Sequence, residues 1–136
     1  MKLILCIDDK NGMAFNHRRQ TRDKKQRQHM YQRIDGPLYV SDYTRKLLVE
    51  DEDHPELLSL EDLDPKDEGA SVFIETENIE KYVRYAKQIM IYRWNRIYLS
   101  DLYFDEKNLE GYRLIGKDTF SGTSHPGIEF NIYERI

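Results

Sequence analysis

Leu3-Ile4-Leu5-Cys6-Ile7-Asp8-Asp9-Lys10-Asn11-Gly12-Met13 is the stretch whose reading decides the fold. Residues 3–7 form an apolar run too short for a helix, with two isoleucines and a stop at charged residues. That pattern predicts a strand buried on both faces, as in a mainly parallel sheet. Asn11-Gly12 predicts a turn, because both residue types tolerate positive φ. A buried first strand that ends in such a turn commonly delivers its loop to the ligand edge of an α/β sheet. A tight turn with no ligand is the plainer reading of the dipeptide taken alone.

Working outward, 136 residues fit one domain with one core, spanning 1–136. With 39% hydrophobic and 34% charged residues the chain reads as globular and well solvated. No apolar run reaches membrane-spanning length, and no signal-peptide pattern opens the sequence. The single cysteine, Cys6, cannot form an internal disulfide, so a reducing, cytoplasmic setting is expected. A buried inert thiol suits Cys6 better than a nucleophile.

The net charge of -4 hides an asymmetry. Residues 16–33 hold seven Lys/Arg and one Asp, a local net of +6; residues 50–68 hold ten Asp/Glu and one Lys, a local net of -9. Such blocks pair with each other, stay solvated or meet charged partners. Overall acidity argues against a general nucleic-acid coat protein but not against one cationic pocket.

The rest of the chain alternates strand and helix patterns. Residues 21–33 predict a helix capped by Thr21, followed by a break at Gly36-Pro37 and a strand over 38–40. A short helix through Leu48 comes next, and 49–70 predict an acidic surface excursion with one helical turn. Strands are expected at 71–74 and 88–92. Between them lies a helix capped by Asn78, with Ile79, Tyr82, Val83 and Ala86 on one stripe. Residues 113–115 and 128–133 predict a closing antiparallel pair, since Ile128, Phe130 and Ile132 alternate with polar residues. The order implies an α/β fold in a single domain: a mixed sheet, mainly parallel, with a C-terminal antiparallel hairpin and flanking helices.

Candidate sites follow from residue type. His17, Arg18, Arg19 and Gln20 come just after the turn, at the mouth of any cleft, where arginine forks suit a phosphate, a nucleotide or an RNA backbone. Asn11, Gly12, Asn16, His17, Arg18, Arg19 and Arg22 form the candidate ligand-binding set. The four histidines show no zinc-ligand spacing, so no metal site is expected. Asp8 and Asp9 could reach a hard cation with Asp101, but turn roles suit them better. Trp94, Tyr92, Tyr98, Tyr103 and Phe104, interleaved with Arg93 and Arg96, suit base stacking or, more simply, core and rim packing. Ser124-His125 reads as a hairpin turn.

The order of elements and several local strings resemble dihydrofolate reductase. The opening strand with Asn11-Gly12-Met13 is similar to that family's first strand and turn. Residues 38–48, with Thr44, look like its second strand and following helix; residues 85–92 are similar to its helix-to-strand passage. Asp101 with Phe104-Asp105, and the tail from Ser124-His125 to Tyr133-Glu134-Arg135, complete the likeness. The resemblance implies a carboxylate on the first helix that protonates the pterin, at or near Asp23, and a cofactor contact at Thr44. Departures accompany it. Lys24 and Arg27 stand where apolar residues line the pterin, and Asp42 stands where an arginine grips phosphate. Glu75-Thr76-Glu77 replace the Gly-Gly that admits the cofactor pyrophosphate. Among so many cations Asp23 would stay ionised, opposing a proton-donor role, and a solvated helix acid partnered by Arg19 and Arg27 is the simpler reading.

The sequence thus points to a non-catalytic binding or regulatory protein on a dihydrofolate-reductase-like scaffold, with no cofactor. Its cationic cleft would take an anionic small molecule, a nucleotide or a macromolecular partner. The alternatives are a divergent NAD(P)H-dependent reductase, with NADPH as cofactor, Asp23 aiding protonation and Thr44 touching the cofactor, and an inhibitor of a nucleic-acid enzyme using the acidic 50–68 segment.

Overall fold

The computed structural model describes residues 1–136. The chain order is β1 (Lys2–Ile7), β2 (Gly12–Phe15), β3 (Arg18–Arg19), α1 (Lys24–Tyr31), β4 (Leu38–Val40), α2 (Asp42–Leu48) and β5 (Leu57–Ser59). There follow β6 (Ser71–Phe73), α3 (Glu80–Val83), β7 (Gln88–Arg93), β8 (Leu102–Tyr103), β9 (Tyr112–Phe120) and β10 (Ile128–Arg135). A seven-stranded sheet runs β5-β4-β6-β1-β7-β10-β9, which puts the opening strand in its centre. β1 pairs in parallel with β6 and β7, and β4 pairs in parallel with β5 and β6. β10 runs antiparallel to β7, and β9 antiparallel to β10. This is the mixed α/β sheet the hydrophobic pattern implies.

β1 is apolar on both faces because it feeds two cores. Leu3, Leu5 and Ile7 pack with Val72, Ile74, Ile79, Tyr82 and Ile89 on the α3 side. Ile4 joins Met30, Leu47, Phe73, Tyr92 and Trp94 on the side of α1 and α2. The stripe Ile79, Tyr82, Val83 and Ala86 is buried as its spacing requires. Its helix, however, closes only over Glu80–Val83, and Asn78 Oδ1 accepts the Glu80 N–H from outside it.

Two expectations are corrected, and one small sheet is added. α1 starts at Lys24, capped by Asp23 and not by Thr21, because the Asp23 carboxylate accepts the Gln26 N–H. Residues 49–70 are not only a surface excursion: Leu57–Ser59 forms the outer parallel strand β5, and a 3₁₀ turn covers Leu60–Asp62. A second sheet, β3-β2-β8, lies beyond the turn. Its β2–β3 hairpin turns on Asn16 and His17 at φ 51° and 60°, the two left-handed residues of a tight hairpin. At the first turn Asn11 takes the positive φ of 64°. Gly12 is required for a different reason, since any Cβ there would collide with the Ser100 side chain.

In β9 the pairing slips at Ile115, so that Ile132 faces Gly116 and Tyr133 faces Leu114. The extra residue is a β-bulge in the sheet's outermost strand.

His29 on α1 fastens this antiparallel end to the helix layer. Its ring stacks on Phe120 at 4.3 Å, its Nδ1 lies 2.7 Å from the Tyr92 hydroxyl and its Nε2 lies 3.2 Å from Asp118. Burial, helped by Arg33 and opposed by Asp118, lowers its pKa below the ordinary 6.5. Burial also raises the Tyr92 phenol. Tyr92 therefore donates to Nδ1 of a neutral ring. A depressed histidine pKa means the unfolded chain binds the extra proton first, so this stability is complete above pH 6.5 and is lost as pH falls through the folded pKa. Urea melts between pH 7 and pH 5 should show wild type losing stability faster than His29→Gln. Parallel pH profiles would show that the ring does not titrate this way.

Candidate functional site

The carboxyl ends of β1, β6 and β7 meet the β2–β3 hairpin and the start of α1. Asp8 follows directly on β1 and is fully buried. Its carboxylate accepts from the backbone N–H groups of Lys10, Gly12 and Tyr98 at 2.8–3.0 Å and from Gln20 Nε2 at 3.0 Å. Despite burial these donors hold it below its usual pKa. Asp8 thus organises the turn, as its position suggested, and no group of three or more His, Cys, Asp or Glu side chains is placed to hold a metal.

Asp23 is 2% exposed, which corrects the picture of a solvated helix acid. Oδ1 accepts from the N–H of Gln26 and of Thr123 at 3.1 and 2.9 Å. Oδ2 accepts from the Ser124 N–H at 2.8 Å and from His125 Nδ1 at 3.0 Å. Burial would raise this carboxyl, but the Thr123 and Ser124 amides, His125 and Gln26 outweigh it and hold it well below the usual range. An ionised Asp23 sets the proton of His125 on Nδ1. Nε2 lies 2.9 Å from the Tyr98 hydroxyl, while the ring stacks on Trp94 at 4.6 Å. The β9–β10 connection is thereby folded down onto the start of α1. Gly122 sits so close that a Cβ would strike the Asp23 carboxylate and Ile128.

The expected cationic partners of Asp23 are spent elsewhere. Arg19 grips Glu75 with Nε and Nη2, both at 2.9 Å, and lies over the Tyr43 ring at 4.3 Å. Arg27, nearly buried, grips Asp51 at 2.7 and 3.0 Å, and Tyr31 donates to the same carboxylate at 2.6 Å. Against the cost of burial, Arg27 and Tyr31 hold Asp51 below the usual carboxylate range. Burial and Asp51 push the Tyr31 phenol up. Arg22 only approaches Glu50, at 3.8 Å between two exposed side chains. Arg27 of the basic block therefore meets Asp51 of the acidic block and Arg19 meets Glu75 outside it, so the cleft wall is neutralised at these two arginines where an unpaired cationic wall was expected.

Thr44 is fully buried, and its hydroxyl donates to Glu75 at 2.7 Å. Two voids of about 10 Å³ lie beneath the hairpin, each lined by Cys6, Thr21, Glu75 and Trp94. Each has room for about one water. Burial and the Glu75 and Asp23 carboxylates push the Cys6 thiol up, consistent with an inert thiol. Outside the hairpin a groove of about 440 Å³ is lined by Phe15, Asn16, Arg18, Arg19, Tyr98 and Leu99. Four of the candidate ligand-binding residues separate from it: Asn11 and Gly12 belong to the Asp8 turn, His17 is exposed at the hairpin tip, and Arg22 lines the inner void. Of the network members, Asp51 is not singled out by the sequence, while Glu75, His125 and Tyr98 are named there in other roles.

This arrangement is the dihydrofolate reductase fold. Dihydrofolate reductase from Enterococcus faecalis, in its structure complexed with NADP(H) and RAB-propyl, aligns over 98% of this chain and 95% of its own, at a TM-score of 0.67 and 8% identity. No family model and no curated protein matches the sequence. No helix is long and apolar enough to cross a membrane.

Proposed function

We propose that this chain is a non-reductase binding protein whose ligand is anionic and meets the outer face of the β2–β3 hairpin. The observation that carries the reading is the state of Asp23. A carboxylate that accepts from three backbone amides and a histidine, with its pKa held low, has neither the proton nor the free lone pair that pterin protonation needs. The space beside it holds about one water and no ring system. The residues fit NADPH no better. Glu75 stands where the resemblance puts paired glycines, takes the hydroxyl of Thr44, and presents a like charge to any pyrophosphate.

The groove outside remains open and carries Arg18, an exposed guanidinium, beside Asn16, Phe15 and Leu99. Exposed Phe15 and Leu99 offer apolar contact, and Arg18 supplies the fork for a phosphate. A nucleotide satisfies both requirements, so ADP is a fitting probe. ADP should give saturable amide shifts at Phe15, Asn16 and Arg18 in NMR titrations, and Arg18→Glu should weaken binding by about tenfold. NADPH should neither raise the Tm nor be oxidised in the presence of dihydrofolate. NADPH-dependent stabilisation with dihydrofolate turnover would return the chain to the reductases.

A further inference from the structure

The outer face of the small sheet β3-β2-β8 is apolar where a solvated sheet face is ordinarily polar. We propose that this face docks on the same face of a second copy of this chain, forming a transient two-fold pair. The inference goes beyond the binding-protein reading and stands without it.

Burial sets the two faces of the sheet. Ala14 and Leu102, opposite each other across β2 and β8, turn toward the core. Their strand neighbours Phe15 and Tyr103 point the other way and are 45% and 56% exposed. Tyr103 donates its hydroxyl to the Ser100 carbonyl at 3.0 Å, which holds its ring toward the segment that carries Leu99, 74% exposed. Leu99 and Phe15 line one groove. Three of the nine large apolar side chains that the molecule exposes thus gather on one face, where chance would scatter them singly.

Charge names the occupant. Arg18 pairs with Phe15 across the hairpin and so shares its face, an exposed guanidinium at the β3 margin. Beyond the β8 margin come Asp105 and Glu106, both exposed, and Asn11 Nδ2 donates to Glu106 at 3.1 Å, which ties that carboxylate to the foot of β2. Residues 105–110 hold three acids and Lys107, a local net of -2. Asp101, between the margins, is engaged by the Asn16 N–H at 3.0 Å. A strip that runs from cation through apolar middle to anion is complementary to itself after a half-turn. Neighbouring strands lie about 4.8 Å apart, so β3 and β8 are about 10 Å apart. A two-fold axis through β2 sets Arg18 of each copy over Glu106 of the other and closes Phe15, Leu99 and Tyr103 between them. A uniformly acidic or basic partner would meet a like charge at one margin. The strip is small, so the pair belongs with the weak, transient interfaces.

Sedimentation equilibrium from micromolar to near-millimolar protein reads the pair directly, with circular dichroism as the check on folding. Wild type should move from one chain per particle toward two. Arg18→Glu and Glu106→Arg should each weaken association at least about tenfold. Mixing the two variants in equal amounts should restore it, because the mixed pair has opposite charges at both margins while each variant alone has like charges at both. Phe15→Ser/Leu99→Ser should abolish association and leave the fold intact, since both side chains are exposed. Wild type that stays at one chain per particle throughout, a pair that survives Phe15→Ser/Leu99→Ser, or a mixture that restores nothing would overturn the proposal. The ADP result is separate. A pair that ignores ADP refutes only the groove ligand, and ADP binding by a chain that never pairs refutes only the pair.

Discussion

Asp23→Ala is expected to lower stability by about 3–4 kcal/mol, a fall in Tm of roughly 10–15 °C. Loss of the helix cap accounts for about 1 kcal/mol of this. Most of the remainder comes from stranded donors. The Thr123 and Ser124 amides and the His125 Nδ1 proton all point at one carboxylate, and alanine leaves them facing nothing. Asp23→Asn separates the contributions. It can keep the acceptor for Gln26 and Thr123, but it sets an NH₂ group against the donors of Ser124 and His125. Its cost should fall between wild type and alanine. Thermal melts followed by near-ultraviolet circular dichroism, which senses Trp94 against the His125 ring, measure both. A Tm change below about 3 °C for Asp23→Ala would mean that water replaces the carboxylate and the loop is not pinned by it.

The second large effect belongs to Asp51. Asp51→Ala should cost about 3–5 kcal/mol, because it leaves the nearly buried Arg27 charge and the Tyr31 hydroxyl without their acceptor. Replacing both partners is a different experiment. Arg27→Met/Asp51→Leu exchanges a buried ion pair for apolar volume, and such exchanges run near neutral or even stabilising. Denaturant melts of the two single variants and the double variant complete the cycle. A single substitution as mild as the double one would show that the pair is solvated in solution and that the acidic segment is not anchored through it.

The two cores were legible because burial leaves a period in the sequence. Residues 3–7, the Ile79–Ala86 stripe and the alternation of Ile128, Phe130 and Ile132 each report which way a side chain faces. β5 was hidden because only three of its residues pair, inside a stretch dominated by carboxylates. β3 and β8, at two residues each, are too short for any period to register. The site was harder to read, since charge pairing across the fold leaves no local trace. Arg19 and Glu75 are 56 positions apart, Arg27 and Asp51 are 24 apart, and Asp23 meets His125 across 102. The two opposite charge blocks announced that pairing was available, but not which arginine would meet which acid. The substitution of Glu75 for paired glycines was visible from the resemblance; that it would be answered by Arg19 was not.

The bulge at Ile115 bears on how the molecule behaves in a crowded solution. A long outermost strand offers free amides and carbonyls on which another chain could crystallise into an endless ribbon. The extra residue twists that border out of plane, and Arg113, Lys117 and Asp118 stand along it as charged posts. The bulge and these charges make the nine-residue margin a poor template for edge-to-edge pairing with another chain.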